Sequence, residues 1–378
     1  MTNMQGKETP IRADQVGSLL RPPALLAARQ AFADGRIAGD ELRAAEDRAI
    51  LAALELQRHT GIEVVTDGEY RRTSFLGGLL DHLQGLARSD DPLAAAGKPV
   101  WRGPGEKVAR EDAAVPAVRI AGKLSVAGRF TEVEAMFLKR HAGRTFKVAL
   151  PSPHMLMHLY RPGVTDAIYG AREEMLADLI GICQREVDGL MHDGVPYIQL
   201  DSLRYTDLID EQRRQKWQGI GLERVLGETI AADNAVLGRT RGPGITRGVH
   251  LCRGNHRSAW AGAGGYESVA ERLFNELDVD RFLLEFDDER SGGFEPLRFV
   301  PKGKMVVLGL VTTKTGALEP VDVLRRRIDD ASKYVPLESL AISPQCGFAS
   351  THLGNLLTED EQARKLELVA RTARRVWG

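Results

Sequence analysis

ITRGVHLC, residues 245–252, is a short apolar run with β-branched residues, and it reads as a β-strand. Strand alternation puts Val249 and Leu251 on one face and His250 and Cys252 on the other. Four comparable runs precede it: IRADQVGS at 11–18, IEVVTDGE at 62–69, FKVALPSP at 146–153 and YIQLDS at 197–202. RFLLEFD at 281–287, KMVVLGLV at 304–311 and LAISPQC at 340–346 follow. Helical stretches lie between them, the pattern of βα units around a parallel sheet. Eight such runs are the strand number of a (βα)8 TIM barrel, and that is the expected fold class.

The intervening helices show the matching period. Leu176, Leu179, Ile180, Cys183, Val187 and Leu190 fall on one stripe, and that helix stops before Gly194. Tyr266, Val269, Ala270, Leu273, Phe274 and Leu277 make a second stripe. Thr358 and Glu361 have the spacing of a capping box for the last helix. Residues 87–117, rich in Pro, Gly and charge, fit no barrel unit. They read as an insertion between strands 2 and 3, near the barrel mouth. No linker divides the chain, so residues 1–378 are expected to form one catalytic barrel domain.

Composition narrows the function. Lys plus Arg total 51 against 52 Asp plus Glu, so no broad basic field exists to attract nucleic acid or anionic lipid. A small-molecule substrate is the expectation. The N-terminal residues carry no apolar stretch of signal-peptide length, and no run of about 18 apolar residues occurs, which points to a cytoplasmic protein. The three cysteines, Cys183, Cys252 and Cys346, lie far apart, so a disulfide framework is not expected and each thiol needs its own reading. Cys183 sits on the apolar stripe of its helix and reads as core packing.

His250 and Cys252 end one strand, Glu285 ends another and Cys346 a third. In a barrel those C-terminal ends converge on a shared mouth. One imidazole, two thiolates and a carboxylate are a donor set that suits zinc. The alternative at this level is a satisfied core histidine beside two small buried thiols. Three anionic ligands make zinc a poor generator of hydroxide and suit it to activating a thiol. A free thiol of pKa about 8.5 is mostly protonated at neutral pH, and coordination ionises it while leaving a nucleophilic sulfur. Transfer of an alkyl group to sulfur is the chemistry to expect.

The ligand stretches HLC, LLEFDDER and SPQCGFAS, together with ADQVGSLLRP, GIEVVTDGEYRR, YIQLDS and FEPLRFVPKGKMVVLGLVTTKTG, closely resemble the cobalamin-independent methionine synthase family. The chain is similar to its short members, which match only the catalytic half. The resemblance implies a zinc-dependent methyltransferase that uses His250, Cys252, Glu285 and Cys346 as metal ligands. It further implies homocysteine as the small-molecule thiol, bound through Glu69 and Asp201 at its amino group and through Ser18 at its carboxylate. The implied methyl donor is 5-methyltetrahydrofolate, a methylated corrinoid protein or another methylated small molecule. Asp207, six residues beyond Asp201, and His154, after the third strand, are the proton-transfer candidates. Two departures stand out: Gln15 replaces the histidine usual in short members, and TTKTGALEP, with Lys314, lacks the histidine that helps the folate leave in full-length members. The alternatives are a related zinc enzyme that opens an epoxide with the thiol of coenzyme M, and a binding protein with purely structural zinc.

Overall fold

A computed structural model of the chain describes residues 10–88, 100–111, 118–240 and 244–378. From the N-terminus, helices α1 (Pro23–Ala33), α2 (Gly39–Thr60) and α3 (Gly77–His82) are followed by strand β1 (Leu83–Arg88), α4 (Glu106–Glu111), β2 (Val118–Val126) and α5 (Glu132–His141). Then come β3 (Lys147–Pro151), α6 (Arg172–Asp193), β4 (Tyr197–Ser202), α7 (Arg204–Ile209), α8 (Glu211–Arg214), α9 (Leu222–Leu237) and β5 (Thr246–Leu251). The chain ends with α10 (Glu267–Glu276), β6 (Arg281–Glu285), β7 (Met305–Val311), α11 (Val321–Ala331), β8 (Leu340–Pro344) and α12 (Glu359–Trp377).

Strands β3 to β8 form one parallel sheet in sequence order, so the fold is α/β with six ladder-paired strands rather than the eight expected. The two missing strands are present as extended segments with single bridges. Ala13 bridges Ile342 of β8, and Val65 bridges Phe146 just before β3, both parallel. The amide of Glu63 donates to the carbonyl of Ala13 at 3.0 Å, so a hydrogen-bonded circuit runs from β8 through both segments to β3. The physical reason is composition: Arg12, Asp14 and Gln15 interrupt the first run with side chains that need specific polar partners, and the ladder does not extend past them.

The six strands are buried on both faces, as near-continuous runs of Val, Ile and Leu require. Their outer residues join one apolar core that extends from Ala13 to Ala373 and includes the stripes of α6 and α10. Cys183 belongs to it, fully buried, with its thiol pushed up to about 12 by burial. The helix ends follow their caps. Helix α6 stops at Gly194 in the left-handed region (φ 78°), and Thr358 and Glu361 close the capping box of α12.

The expected insertion at 87–117 lies between the two strands of a small sheet. β1 and β2 form an antiparallel pair outside the main sheet. Residues 89–99 and 112–117 lie outside the described residues. Between them, Arg102 bridges Trp260, and its guanidinium reaches Asp210 at 2.7 Å and the carbonyl of Ala261 at 2.9 Å. This segment therefore docks on the loop that follows the His250–Cys252 strand.

Candidate metal centre

The parallel register places the metal candidates at one end of the sheet. His250 on β5 pairs with Asp201 on β4 and with Leu283 on β6, two residues before Glu285. Cys252 and Cys346 follow the ends of β5 and β8. One ligand atom from each of His250, Cys252, Glu285 and Cys346 lies within 4.8 Å of the others, and all four residues are buried. Gly309 on β7 lets these strands approach: a Cβ there would stand 2.7 Å from the Cα of Gln345 and 2.8 Å from the carbonyl of Leu284.

The atomic detail fits a metal ion. The two sulfurs are 3.7 Å apart, close to the separation of about 3.8 Å that two 2.3 Å zinc–sulfur bonds impose at a tetrahedral angle. His250 Nδ1 lies 3.3 Å from the carbonyl of Leu283, which holds a proton there, so Nε2 is the nitrogen that would offer its lone pair to an ion. Nε2 is buried with no hydrogen-bond partner, an arrangement that a ligand bond would satisfy. Glu285 is oriented at both oxygens: Oε1 accepts from the amide of Arg253 at 2.6 Å and Oε2 from Arg290 at 3.0 Å.

Electrostatics favour an anionic sulfur on Cys346, whereas the Cys252 thiol is raised well above its ordinary range by its hydrogen bond with Cys346 and by burial. The Cys346 thiol is held well below its ordinary range by the hydrogen bond with Cys252, with His250 and Lys314 adding to the effect against burial. Lys314, after β7, is buried and donates to Asn255 Oδ1 and to the carbonyls of Gly254 and Ala259 at 3.4 Å. Burial lowers its pKa, and the charges of Cys346 and Glu285 oppose that shift. Sequence reasoning placed Lys314 near the site without a role and assigned nothing to Arg290, although LLEFDDER carries Arg290 five residues beyond Glu285.

Glu69 and Asp201 lie beside this centre and act on each other electrostatically. Burial raises the Asp201 carboxyl, with the charge of His250 pulling it down and that of Cys346 pushing it up. Glu69 has a φ of 60° and is buried, with Oε2 unpartnered. Burial pushes its carboxyl up to about 7, Arg72 pulling it down and Asp201 pushing it up. Ser18 packs on the turn after Cys346: its carbonyl accepts from the amide of Phe348 at 2.8 Å, and its hydroxyl lies 3.4 Å from the amide of Ala349. A Cβ on Gly347 would come within 2.0 Å of that hydroxyl.

The remaining candidates are placed differently. Gln15 is turned away from the centre, donating to Gln57 Oε1 at 2.6 Å and the carbonyl of Val64 at 2.9 Å. Asp207 is held by Arg204 at 3.0 Å, Arg213 at 2.8 Å and Lys216 at 2.8 Å. His154 is fully buried, and burial pushes its pKa down to about 3, with the charge of Arg204 next in effect. It is a neutral imidazole over the whole physiological range.

Residues 166–365 match the family described as cobalamin-independent synthase, catalytic domain. The uncharacterized Bacillus subtilis (strain 168) protein YxjH is 37% identical over 389 residues, 100% of this chain and 99% of its own length. A Pyrococcus abyssi methionine synthase is 25% identical over 335 residues, 88% of this chain and 84% of its own. A solved structure from Listeria monocytogenes, described as a candidate vitamin-B12-independent methionine synthase, has a TM-score of 0.74 at 31% identity, over 98% of this chain and 99% of its own.

Proposed function

This chain belongs to the cobalamin-independent methionine synthase family, and on that premise we propose that it transfers a methyl group to the thiol of homocysteine, giving methionine. The observation that carries the reading is the convergence of four ligand atoms within 4.8 Å, beside two carboxylates that act on each other. His250, Cys252, Glu285 and Cys346 would hold zinc, which supplies Lewis-acid stabilisation of a substrate thiolate at neutral pH.

The rest of the work falls to the chain's own side chains. Glu69, with a buried and unpartnered Oε2, accepts from the substrate ammonium, and Asp201 accepts from its other side. The hydroxyl of Ser18, which accepts from the amide of Ala349, donates its own proton to the carboxylate. With both ends held, the sulfur is aimed at the donor's methyl carbon, a gain in orientation rather than in bond chemistry. Sulfur bonds to that carbon as the bond to the leaving group breaks, and the leaving group keeps the electron pair and takes up a proton. Burial of the quartet keeps water from competing. Asp207 serves here by holding Arg204, Arg213 and Lys216 in place after β4.

A coenzyme M thiol would bring a sulfonate, which two neighbouring carboxylates repel. Zinc absorption spectroscopy separates the possibilities. Homocysteine is expected to raise the number of sulfurs around zinc from two to three, and an unchanged count overturns the proposal. Product assays with homocysteine or coenzyme M against methylfolate, methylated small molecules and epoxides then identify the donor.

A further inference from the structure

The sheet interior contains a chain of buried polar groups that ends on Asp201. Lys147, the first residue of β3, is 1% exposed, and its ammonium donates to Asp14 Oδ1 at 2.9 Å, to the carbonyl of Gln15 and to Gln199 Oε1 at 2.8 Å. An ammonium has three protons to give and no lone pair to receive with. Gln199, fully buried on β4, must therefore present its amide oxygen to Lys147. Its NH2 group then faces the other way, donating to the carbonyl of Val16 at 2.9 Å and to Asp201 Oδ1 at 2.7 Å. If the amide flipped, two donors would meet at Lys147, and the amide oxygen would face both the Asp201 carboxylate and the Val16 carbonyl. Either contact leaves buried polar groups unsatisfied.

We propose that Lys147 and Gln199 are positioning residues that fix the rotamer of Asp201, engaging Oδ1 so that Oδ2 is the oxygen offered to the substrate ammonium. This deepens the reading of Asp201 as an ammonium acceptor and rests on it. Lys147 acts at a distance by setting the polarity of the amide between them, and Gln199 transmits that polarity as one hydrogen bond. The charges are matched along the row. Asp14 lies between Lys147 and Arg281, at 2.9 and 3.3 Å, and Asp201 adds a second carboxylate beyond Gln199. Cationic and carboxylate side chains thus alternate along the row.

The test is calorimetric binding of homocysteine and of 4-mercaptobutanoate, which lacks the amino group, to the zinc-loaded protein. In Gln199→Leu the Kd for homocysteine is expected to rise about tenfold, and the Kd for 4-mercaptobutanoate to stay within about twofold. Lys147→Met, which frees the amide to invert, is expected to match it. The double variant is expected to be no weaker than either single one, because both break the same relay. Gln199→Glu keeps an oxygen on Lys147 while removing the donor to Asp201, so it carries the test if Lys147→Met does not fold. Unchanged homocysteine affinity in folded Gln199 variants, additive losses in the double variant, or equal losses for both thiols overturn the relay. Asp201→Asn separates the two proposals: if it affects both thiols alike, the ammonium pocket itself is wrong, whatever the relay does.

Discussion

Glu69 combines two costs in one residue. Its backbone lies in the left-handed region, which a side chain disfavours by about 1 kcal/mol or more, and its carboxyl is buried with one oxygen unpartnered. Burial holds that carboxyl near 7, against the charges of Arg72 and Arg21 and with those of Asp201 and Asp67. Only the ionised form pairs with an ammonium. Homocysteine affinity is therefore expected to strengthen between pH 6 and pH 8, as Glu69 loses its proton, and Glu69→Gln should flatten that profile. Titration calorimetry at several pH values measures it; an equally steep profile in the variant would count against the pocket.

His154 makes the opposite kind of statement. Its pKa falls from 6.5 in the unfolded chain to about 3 in the fold, so the unfolded chain takes up the proton first as pH drops. The stability that depends on a neutral His154 is complete above about pH 6.5 and is lost progressively toward pH 3. Between pH 7 and pH 5 the loss is about 2 kcal/mol. Urea unfolding at both values should show His154→Gln gaining about that much on the unsubstituted protein as the pH falls.

At the scale of elements, Arg72 joins the Glu69 turn to α5 through a two-pronged pair with Glu134, with bonds of 2.6 to 3.0 Å, both residues buried. Glu134→Ala leaves the guanidinium in place without its partner and is expected to cost about 3–5 kcal/mol in urea unfolding. The same change removes a carboxylate that competes with Glu69 for Arg72, so the pH profile of homocysteine binding should move toward acid. Elements of this kind were unevenly legible in the sequence. Strands β4 to β8 were readable because a strand buried on both faces must be apolar at nearly every position. The β1–β2 pair was not, since LQGLAR and VRIAGKLSV bury only scattered positions. The cluster of His250, Cys252, Glu285 and Cys346 was legible because metal-ligating residue types stood at strand ends. The Lys147–Gln199 relay was not, because the direction of an amide 52 residues away is set by tertiary contact alone.

For the whole molecule, the quartet ties together three strand ends, β5, β6 and β8, that no single stretch of chain connects closely. An ion bound only in the folded state stabilises it by mass action. Zinc at about a hundredfold excess over its Kd is expected to raise Tm by about 3 °C relative to the chelated protein. Cys346→Ser should lose most of that increment, and differential scanning calorimetry reads both. No helix among the described residues is long and apolar enough to cross a membrane.

The single bridges at Ala13 and Val65 divide the circuit into a laddered arc and a lightly tied seam. His250, Cys252, Glu285 and Cys346 stand on the arc or just past its strand ends, whereas Ser18 and Glu69 follow the two segments of the seam. Local opening draws on regions with few backbone bonds to break, so amides of 11–16 and 62–66 should exchange with deuterium well before those of β4 to β7. The molecule is thus expected to keep two clocks at one place: a slow one for His250, Cys252, Glu285 and Cys346, and a faster one for Ser18 and Glu69.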